Sequence, residues 1–233
     1  MVKKLKRLLS PKFWKIPKKE YKWVVSPKPG PHPKFYSIPL QIIIRDILKL
    51  ADTAKEAITI IRRGEIIVDG KPRKEYGYPV GLFDSISIPL SKKYYRVVPS
   101  SDGLTLIEIS AKESNKKICK IKNKTSIKGK IQLNLSDGKN ILVTEKKYKT
   151  GDSVLLEVPS LKVVDHISLA SGNMGIVSKG KNSGRFGKIK EIIPGTIKEE
   201  PQIVCEIDGR KQKILKDMFF VLGKDKPIIE VGE

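Results

Sequence analysis

The sequence is poor in the residues that build metal centres, disulfide frameworks and hydrolytic sites. It holds two cysteines and two histidines in 233 residues. Cys119 and Cys205 stand far apart and neither belongs to a Cys-x-x-Cys pair, so they read as structural thiols in a reducing compartment. His32, Cys119, His166 and Cys205 lack the spacing of zinc ligands, and neither a metal nor another cofactor is expected. No apolar run approaches the roughly 20 residues of a membrane span, and the basic start is not followed by the apolar core of a secretory leader. Asn123-Lys124-Thr125 is therefore a glycosylation sequon in spelling only. No Ser or Cys sits in a nucleophile frame, and the carboxylates are scattered rather than paired, so catalysis is not expected. His166, in an apolar strand context, reads as a packed residue rather than a base.

Acidic residues are scarce as well. They number 25 against 47 Lys and Arg, a formal net charge of +22. Such an excess repels itself, and a folded chain that carries it usually meets a polyanion. Thermostability alone would raise Lys and Glu together, and here Glu does not keep pace. The charge is concentrated at the start. Residues 1–36 hold eleven basic side chains, among them Lys3, Lys4, Lys6, Arg7 and Lys12, against a single acid, Glu20. Prolines 11, 17, 27, 29, 31 and 33 forbid a long helix. They also forbid the continuous apolar face of a membrane-surface helix, so no membrane partner is expected. Residues 1–38 read as an extended basic arm with Phe13, Trp14, Tyr21 and Trp23 interleaved. Cations that neutralise phosphates and flat side chains that stack on bases, Trp14 among them, make an RNA-docking tail. The competing reading is a solvated leader whose aromatics pack on the body.

The body opens with helical periodicity at Leu40, Ile43, Ile44, Ile47, Leu48 and Ala51. Thr53-Ala54-Lys55-Glu56 is a capping box that starts a second helix, in which Ala57, Ile58 and Ile61 carry the apolar face. Arg62 and Arg63 fall in its last turn, where cations suit the helix dipole, and Gly64 is placed to end it. Two helices are thus expected over 39–63. Ile66-Ile67-Val68-Asp69-Gly70-Lys71 reads as a strand entering an Asp-Gly turn. From Tyr94 the pattern is almost wholly β, with Asp102-Gly103, Asp137-Gly138 and Asp208-Gly209 between apolar runs. Strands are expected near 94–98, 104–109, 117–127, 130–135, 140–144, 153–158 and 161–169, with a helical turn at 111–116. After a Gly-rich stretch at 171–187, strands return at 189–193, 202–207, 210–215 and 219–222. Nothing here has the βαβ alternation that hosts a nucleotide. Gly175 through Lys181 falls one residue short of a phosphate-binding loop, with Asn182 where Ser or Thr should hold magnesium, and it does not open a helix. No small-molecule substrate is expected.

The frame from Arg45-Asp46-Ile47-Leu48-Lys49-Leu50-Ala51 through Ala57–Arg63, Gly64–Lys71, Pro79-Val80 and Asp84–Ile88 resembles the ribosomal S-four-type RNA-binding domain, a module also found in aminoacyl-tRNA synthetases and pseudouridine synthases. Two packed helices and a hairpin can present Arg45, Lys49, Lys55, Arg62, Arg63, Lys71 and Arg73 toward one surface, where fixed cations recognise the shape and phosphate spacing of folded RNA. The segment Gly172–Ile189 resembles a KOW motif, a strand–loop–strand of an SH3-like barrel. There the glycines let the backbone approach RNA, and Lys179, Lys181, Asn182 and Arg185 can meet phosphates or base edges.

Taken in order, these parts resemble the e-type ribosomal protein S-four family of the archaeal and eukaryotic small subunit. Leu5-Lys6-Arg7 through Ser10-Pro11-Lys12-Phe13-Trp14 and Gly30-Pro31-His32 are similar to its leader. Ser171-Gly172-Asn173, Asn182-Ser183-Gly184-Arg185-Phe186-Gly187 and Phe220-Val221-Leu222-Gly223-Lys224 are similar to its C-terminal part. The family's Lys-Gly-Pro near the N-terminus is missing, Lys179-Gly180-Lys181 replaces a more usual Gly-Gly pair, and the short end resembles archaeal members. The resemblance implies an α+β, multi-module chain. Its parts would be an extended basic arm (1–38), a small α/β S-four-type module (39–98), a central β domain (99–170) and a C-terminal SH3-like KOW β-barrel (171–233). It further implies a structural, non-enzymatic, cytoplasmic protein of the small ribosomal subunit that supports assembly and translation. Its partners would be small-subunit rRNA and neighbouring ribosomal proteins. The alternatives are a free RNA-binding regulatory factor and the targeting subunit of an RNA-modifying enzyme.

Overall fold

The computed structural model describes residues 5–127 and 129–232. Lys3 and Lys4 lie outside the described residues. The chain divides into two compact units. One runs to Val98 and resumes over Leu104–Asn115, and the other comprises Pro99–Gly103 and the chain from Lys116 onward.

In the first unit, β1 (Leu5–Lys6) pairs antiparallel with β2 (Trp23–Val24). Next come β3 (Ser37–Pro39), α1 (Leu40–Ile42) and α2 (Ala54–Arg63). The remaining strands are β4 (Ile67–Val68), β5 (Lys71–Pro72), β6 (Pro79–Gly81), β7 (Ser85–Ile88), β8 (Lys93–Ser100) and β9 (Gly103–Glu108). β3 pairs with β6, and the other five form one sheet in the order β5-β4-β7-β8-β9. The capping box is realised: Thr53 Oγ1 accepts from the Glu56 N–H at 3.2 Å, and Glu56 Oε2 accepts from the Thr53 N–H at 3.3 Å. The first helix departs from expectation. After one turn it widens into a π-helical stretch over Ile43–Ile47, with the Leu48 N–H donating five residues back to Ile43. The β-branched run Ile42-Ile43-Ile44 crowds a regular helix, and π turns of this kind often mark functional positions.

The arm does not extend away from the body, which corrects the extended-arm reading. Leu5, Trp14 and Ile16 are buried in the same apolar cluster as Leu40, Ile43, Ala57 and Ile61. Trp14 is wholly buried, and its indole N–H donates to the Ser37 carbonyl at 2.9 Å, so the one polar atom of the ring is satisfied. Further along, the Asp84 carboxylate takes His32 Nε2 at 3.0 Å and the Gly81 N–H at 2.9 Å. The prolines that prevent a helix thus deliver short extended spans that lay apolar side chains onto the core.

The second unit contains β10 (Lys116–Ile127), β11 (Lys130–Leu135), β12 (Asn140–Val143), β13 (Ser153–Glu157) and β14 (Lys162–Ile167), ordered β12-β11-β10-β13-β14. β10 serves both halves: residues 116–120 pair with β13 and residues 121–127 with β11. The rest forms a second five-stranded antiparallel sheet, ordered β18-β17-β16-β15-β19. Its strands are β15 (Met174–Val177), β16 (Phe186–Ile193), β17 (Gln202–Ile207), β18 (Arg210–Leu215) and β19 (Phe219–Gly223). At Asp69-Gly70 and Asp208-Gly209 both residues have positive φ, the type I′ geometry that an Asp-Gly hairpin favours. Gly175 is required for a different reason: a Cβ there would come within 2.3 Å of the Phe220 carbonyl oxygen. Cys119 and Cys205 are free and buried, and burial pushes the Cys205 thiol up to about 11.

Lys120 joins the two sheets of this unit. Its buried ammonium donates to the carbonyls of Lys216 and Phe219, the latter at 3.0 Å, and lies 5.5 Å from the Phe220 ring centroid. Burial pushes its pKa down to about 8, assisted by Lys216, Lys122 and Lys179 and opposed by Asp217. Unfolded, the amine holds its proton to about 10.4. Between the two values the unfolded chain binds more protons, so stability rises with pH, by up to about 3 kcal/mol for this group. Denaturant midpoints of the wild type should therefore gain on those of Lys120→Met from pH 8 to pH 10. Parallel curves would show that Lys120 titrates as an ordinary lysine.

Candidate nucleic-acid interface

The cations that the sequence assigned to RNA fall into three groups. The first lies on the outer face of α2 and on the hairpin that follows. Ala57 and Ile61 turn inward, which leaves Lys55, Arg62 and Arg63 exposed. Lys55 and Arg62 are seven residues apart and so share one line along the helix. Arg63 is held loosely, 3.7 Å from Glu65. The position of a Cβ on Gly64 would be 3.8 Å from Pro72 and 3.5 Å from Lys74. The helix C-terminus and the β4–β5 hairpin, with exposed Lys71, are therefore neighbours. Arg73 is half-buried, with its guanidinium 4.5 Å above the Tyr78 ring. Cations at this end also offset the negative pole of the helix.

The second group is at the other end of α2, and it divides what the sequence placed on one surface. Arg45 and Lys49 line a groove of about 960 Å³ whose walls also include Lys15, Lys22, Trp23 and Thr53. A ten-residue helix separates this groove from Arg62 and Arg63, a distance of about 15 Å. Arg45 is engaged by its neighbour, with Nη2 donating to Asp46 Oδ2 at 2.8 Å, so its charge is partly balanced. The same folded arm gathers Lys6, which the sequence assigned to RNA, with Lys18, Lys19 and Lys22, which it did not single out, around Leu8 and Tyr21 in a groove of about 450 Å³. The alternation Tyr21-Lys22-Trp23 was the available signal. Lys12 is exposed.

Two of the arm residues assigned to RNA are not available to it. Arg7 is buried, donates through Nε to the Pro17 carbonyl at 2.5 Å, and pairs with Glu20 at 3.3 Å. Trp14 is the core residue described above. Both were read as surface groups because they sit among lysines, and both instead fold the arm.

The third group is the loop between β15 and β16. Lys181 is exposed and Lys179 half-buried. Asn182 donates its side-chain amide to Gln212, and Arg185 pairs with Asp208 at 2.8 Å on the surface. These two shape and charge-balance the loop, and Lys181, like Arg185, is exposed. The histidine–carboxylate contacts serve the fold. His166 Nε2 meets Asp152 at 2.8 Å, while Asp152 also accepts from the Lys149 and Leu169 N–H groups. Among the described residues no group of His, Cys, Asp and Glu could hold a metal ion, and no helix is long and apolar enough to cross a membrane.

Three family models match parts of the chain. Residues 1–35 match the model of the RS4NT domain, residues 38–86 that of the S4 domain, and residues 91–163 that of ribosomal family S4e. The small ribosomal subunit protein eS4 of Methanothermobacter thermautotrophicus is 45% identical over 98% of this chain and 96% of its own length. That of Archaeoglobus fulgidus is 44% identical over 97% of each. The crystal structure of the 30S ribosomal protein S4e from Thermoplasma acidophilum superposes with a TM-score of 0.70 at 30% identity, covering 82% of this chain and 96% of that one.

Proposed function

The chain belongs to ribosomal family S4e, and from that membership we propose how a structural protein of the small ribosomal subunit of this kind holds its RNA. It is a scaffold rather than a catalyst. It binds small-subunit rRNA in the cytoplasm and packs against neighbouring proteins of the subunit. The observation that carries this reading is the continuous basic edge formed by Arg62, Arg63 and the adjoining hairpin with Lys71 and Lys74 on an S4 domain. A rigid helix end and hairpin hold cations at fixed spacing, which suits phosphates across a folded RNA groove. We read the β15–β19 sheet as the SH3-like KOW module, with Lys181 at its contact loop and Arg185 and Asn182 positioning that loop.

Binding driven by counterion release weakens linearly on a log–log plot against salt. Replacing Arg62 and Arg63 together by alanine should lower the salt slope for a small-subunit rRNA fragment by about 2, one per lost phosphate contact. The loss should be nearly equal across RNA sequences of the same shape. Filter binding between 50 and 200 mM salt reads both, and an unchanged slope would remove these residues from the interface.

A further inference from the structure

We propose that the folded arm carries a site for single-stranded RNA, in which two unstacked bases lie on Tyr21 and Trp23 while the backbone follows the lysine groove beside them. This rests on the rRNA-binding reading and names the form of RNA that one part of the chain takes.

Tyr21 is 64% exposed and Trp23 42% exposed, unusual for large aromatic side chains in a folded segment. Both rings line the groove that also holds Lys22, Lys49 and Arg45. Tyr21 also lines the neighbouring groove of Lys6, Lys18, Lys19 and Lys22, which contains no acidic residue. Tyr21 therefore stands on the divide between a purely cationic trough and a wider, mixed one.

Tyr21 is braced from within. The guanidinium of Arg7, itself buried, lies 5.3 Å from the Tyr21 centroid, so the face it covers is the inner one. A cation behind an aromatic ring fixes its orientation and leaves the outward face for stacking. At Trp23 the neighbouring cation is the exposed Lys22, whose ammonium lies 5.7 Å from the ring centroid.

Spacing selects the ligand. Tyr21 and Trp23 flank a bend at Lys22 and line the same groove. A ring stacks only on a base whose face is open. Bases inside a continuous duplex are already covered by their neighbours, so the ligand that suits these rings is single-stranded. Leu8, exposed beside Tyr21, extends the apolar floor. The wider groove has three acidic members, Glu20, Asp46 and Asp52; Glu20 and Asp46 are paired with Arg7 and Arg45, and none of the three lines the lysine trough.

The test uses the full-length protein and its own fluorescence. The chain has two tryptophans, and Trp14 is wholly buried, so quenching by a base reports Trp23. Three probes of equal charge are titrated at low salt: an eight-nucleotide oligoadenylate, the same oligomer abasic at its central positions, and oligoglutamate. The oligoadenylate should quench emission and bind about 10-fold or more tightly than either of the others. Tyr21→Leu should lower its affinity by a similar factor while changing affinity for a duplex of the same length less than 2-fold. Equal binding of the abasic oligomer, or equal quenching by oligoglutamate, would show a plain cation patch and overturn the proposal, as would an unaffected Tyr21→Leu. If the wild type binds a small-subunit rRNA fragment while these oligomer results fail, the stacking site is wrong and the rRNA reading stands. If it binds no rRNA fragment either, both fall.

Discussion

Trp14→Ala should cost about 3–5 kcal/mol in the unfolding of the first unit. The substitution empties the volume of the largest fully buried side chain. It also leaves the Ser37 carbonyl without the indole N–H that now reaches it at 2.9 Å. Trp14→Phe separates these contributions: it retains much of the apolar volume and loses the hydrogen bond, at a cost of about 1–3 kcal/mol. The effect should also be local. Amides that close the arm, such as Arg7 N–H to Lys22 and Lys28 N–H to Gly77, should lose hydrogen-exchange protection before the amides of α2. A midpoint shift worth less than about 1 kcal/mol would mean that the arm docks through its other contacts and that Trp14 only fills space. Functionally, the basic trough and its two exposed rings should be lost together with Trp14, because the trough exists only while the arm is folded.

Asp137→Ala should be equally severe in the second unit, by about 3–5 kcal/mol. The side chains of Lys117 and Asp137 are each 1% exposed and meet at 3.1 Å, with Lys139 at 3.0 Å from the same carboxylate oxygen. Burial by itself would raise the Asp137 carboxyl. Lys117 and Lys139 outweigh it and hold the pKa below the ordinary carboxylate value. A depressed carboxylate stabilises the fold at pH above the unfolded value of about 3.9, and that contribution is lost as pH falls through the folded value. The wild type should therefore lose more stability on acidification than the variant. Removing both charges, as Lys117→Met with Asp137→Leu, should recover most of the loss, since a buried pair replaced by apolar groups is often neutral. A double variant no better than Asp137→Ala would show that the carboxylate acts through its backbone contact with Lys139 rather than through its charge.

Local signals were legible in the sequence because the structure uses them locally. The Thr53–Glu56 capping box, the inward Ala57 and Ile61 and the outward Arg62 and Arg63 all lie within eleven residues. The turns at Asp69-Gly70 and Asp208-Gly209 depend only on two dihedrals each. At Asp137-Gly138 the same dipeptide turns differently: only the glycine has positive φ, and the Asp side chain is drawn inward to Lys117. What stayed hidden depends on partners distant in sequence. Trp14 reads as a stacking surface until Ser37 and the helix pair are placed around it. Arg7 reads as one more arm cation until the Pro17 carbonyl and Glu20 close on it. Arg45 and Lys49 could not be separated from Arg62 and Arg63 by composition, since only the length of α2 sets them at opposite ends. The aromatic platform was half visible: Tyr21 and Trp23 were noted among the lysines, and only the fold separates them, exposed, from the buried Trp14.

The tie from Lys120 to β19 has a consequence for the order in which the chain matures. The carbonyls that receive its ammonium lie 96 and 99 residues further along. While the polypeptide is being made, β10 to β14 emerge well before those acceptors exist. During that interval Lys120 keeps its water, and the face it will later cover stays wet. Closure waits for Phe219, and such distant pairings are slow to form. A stalled or truncated nascent chain would thus present an incomplete sheet with uncovered apolar side chains, the kind of surface that chaperones hold.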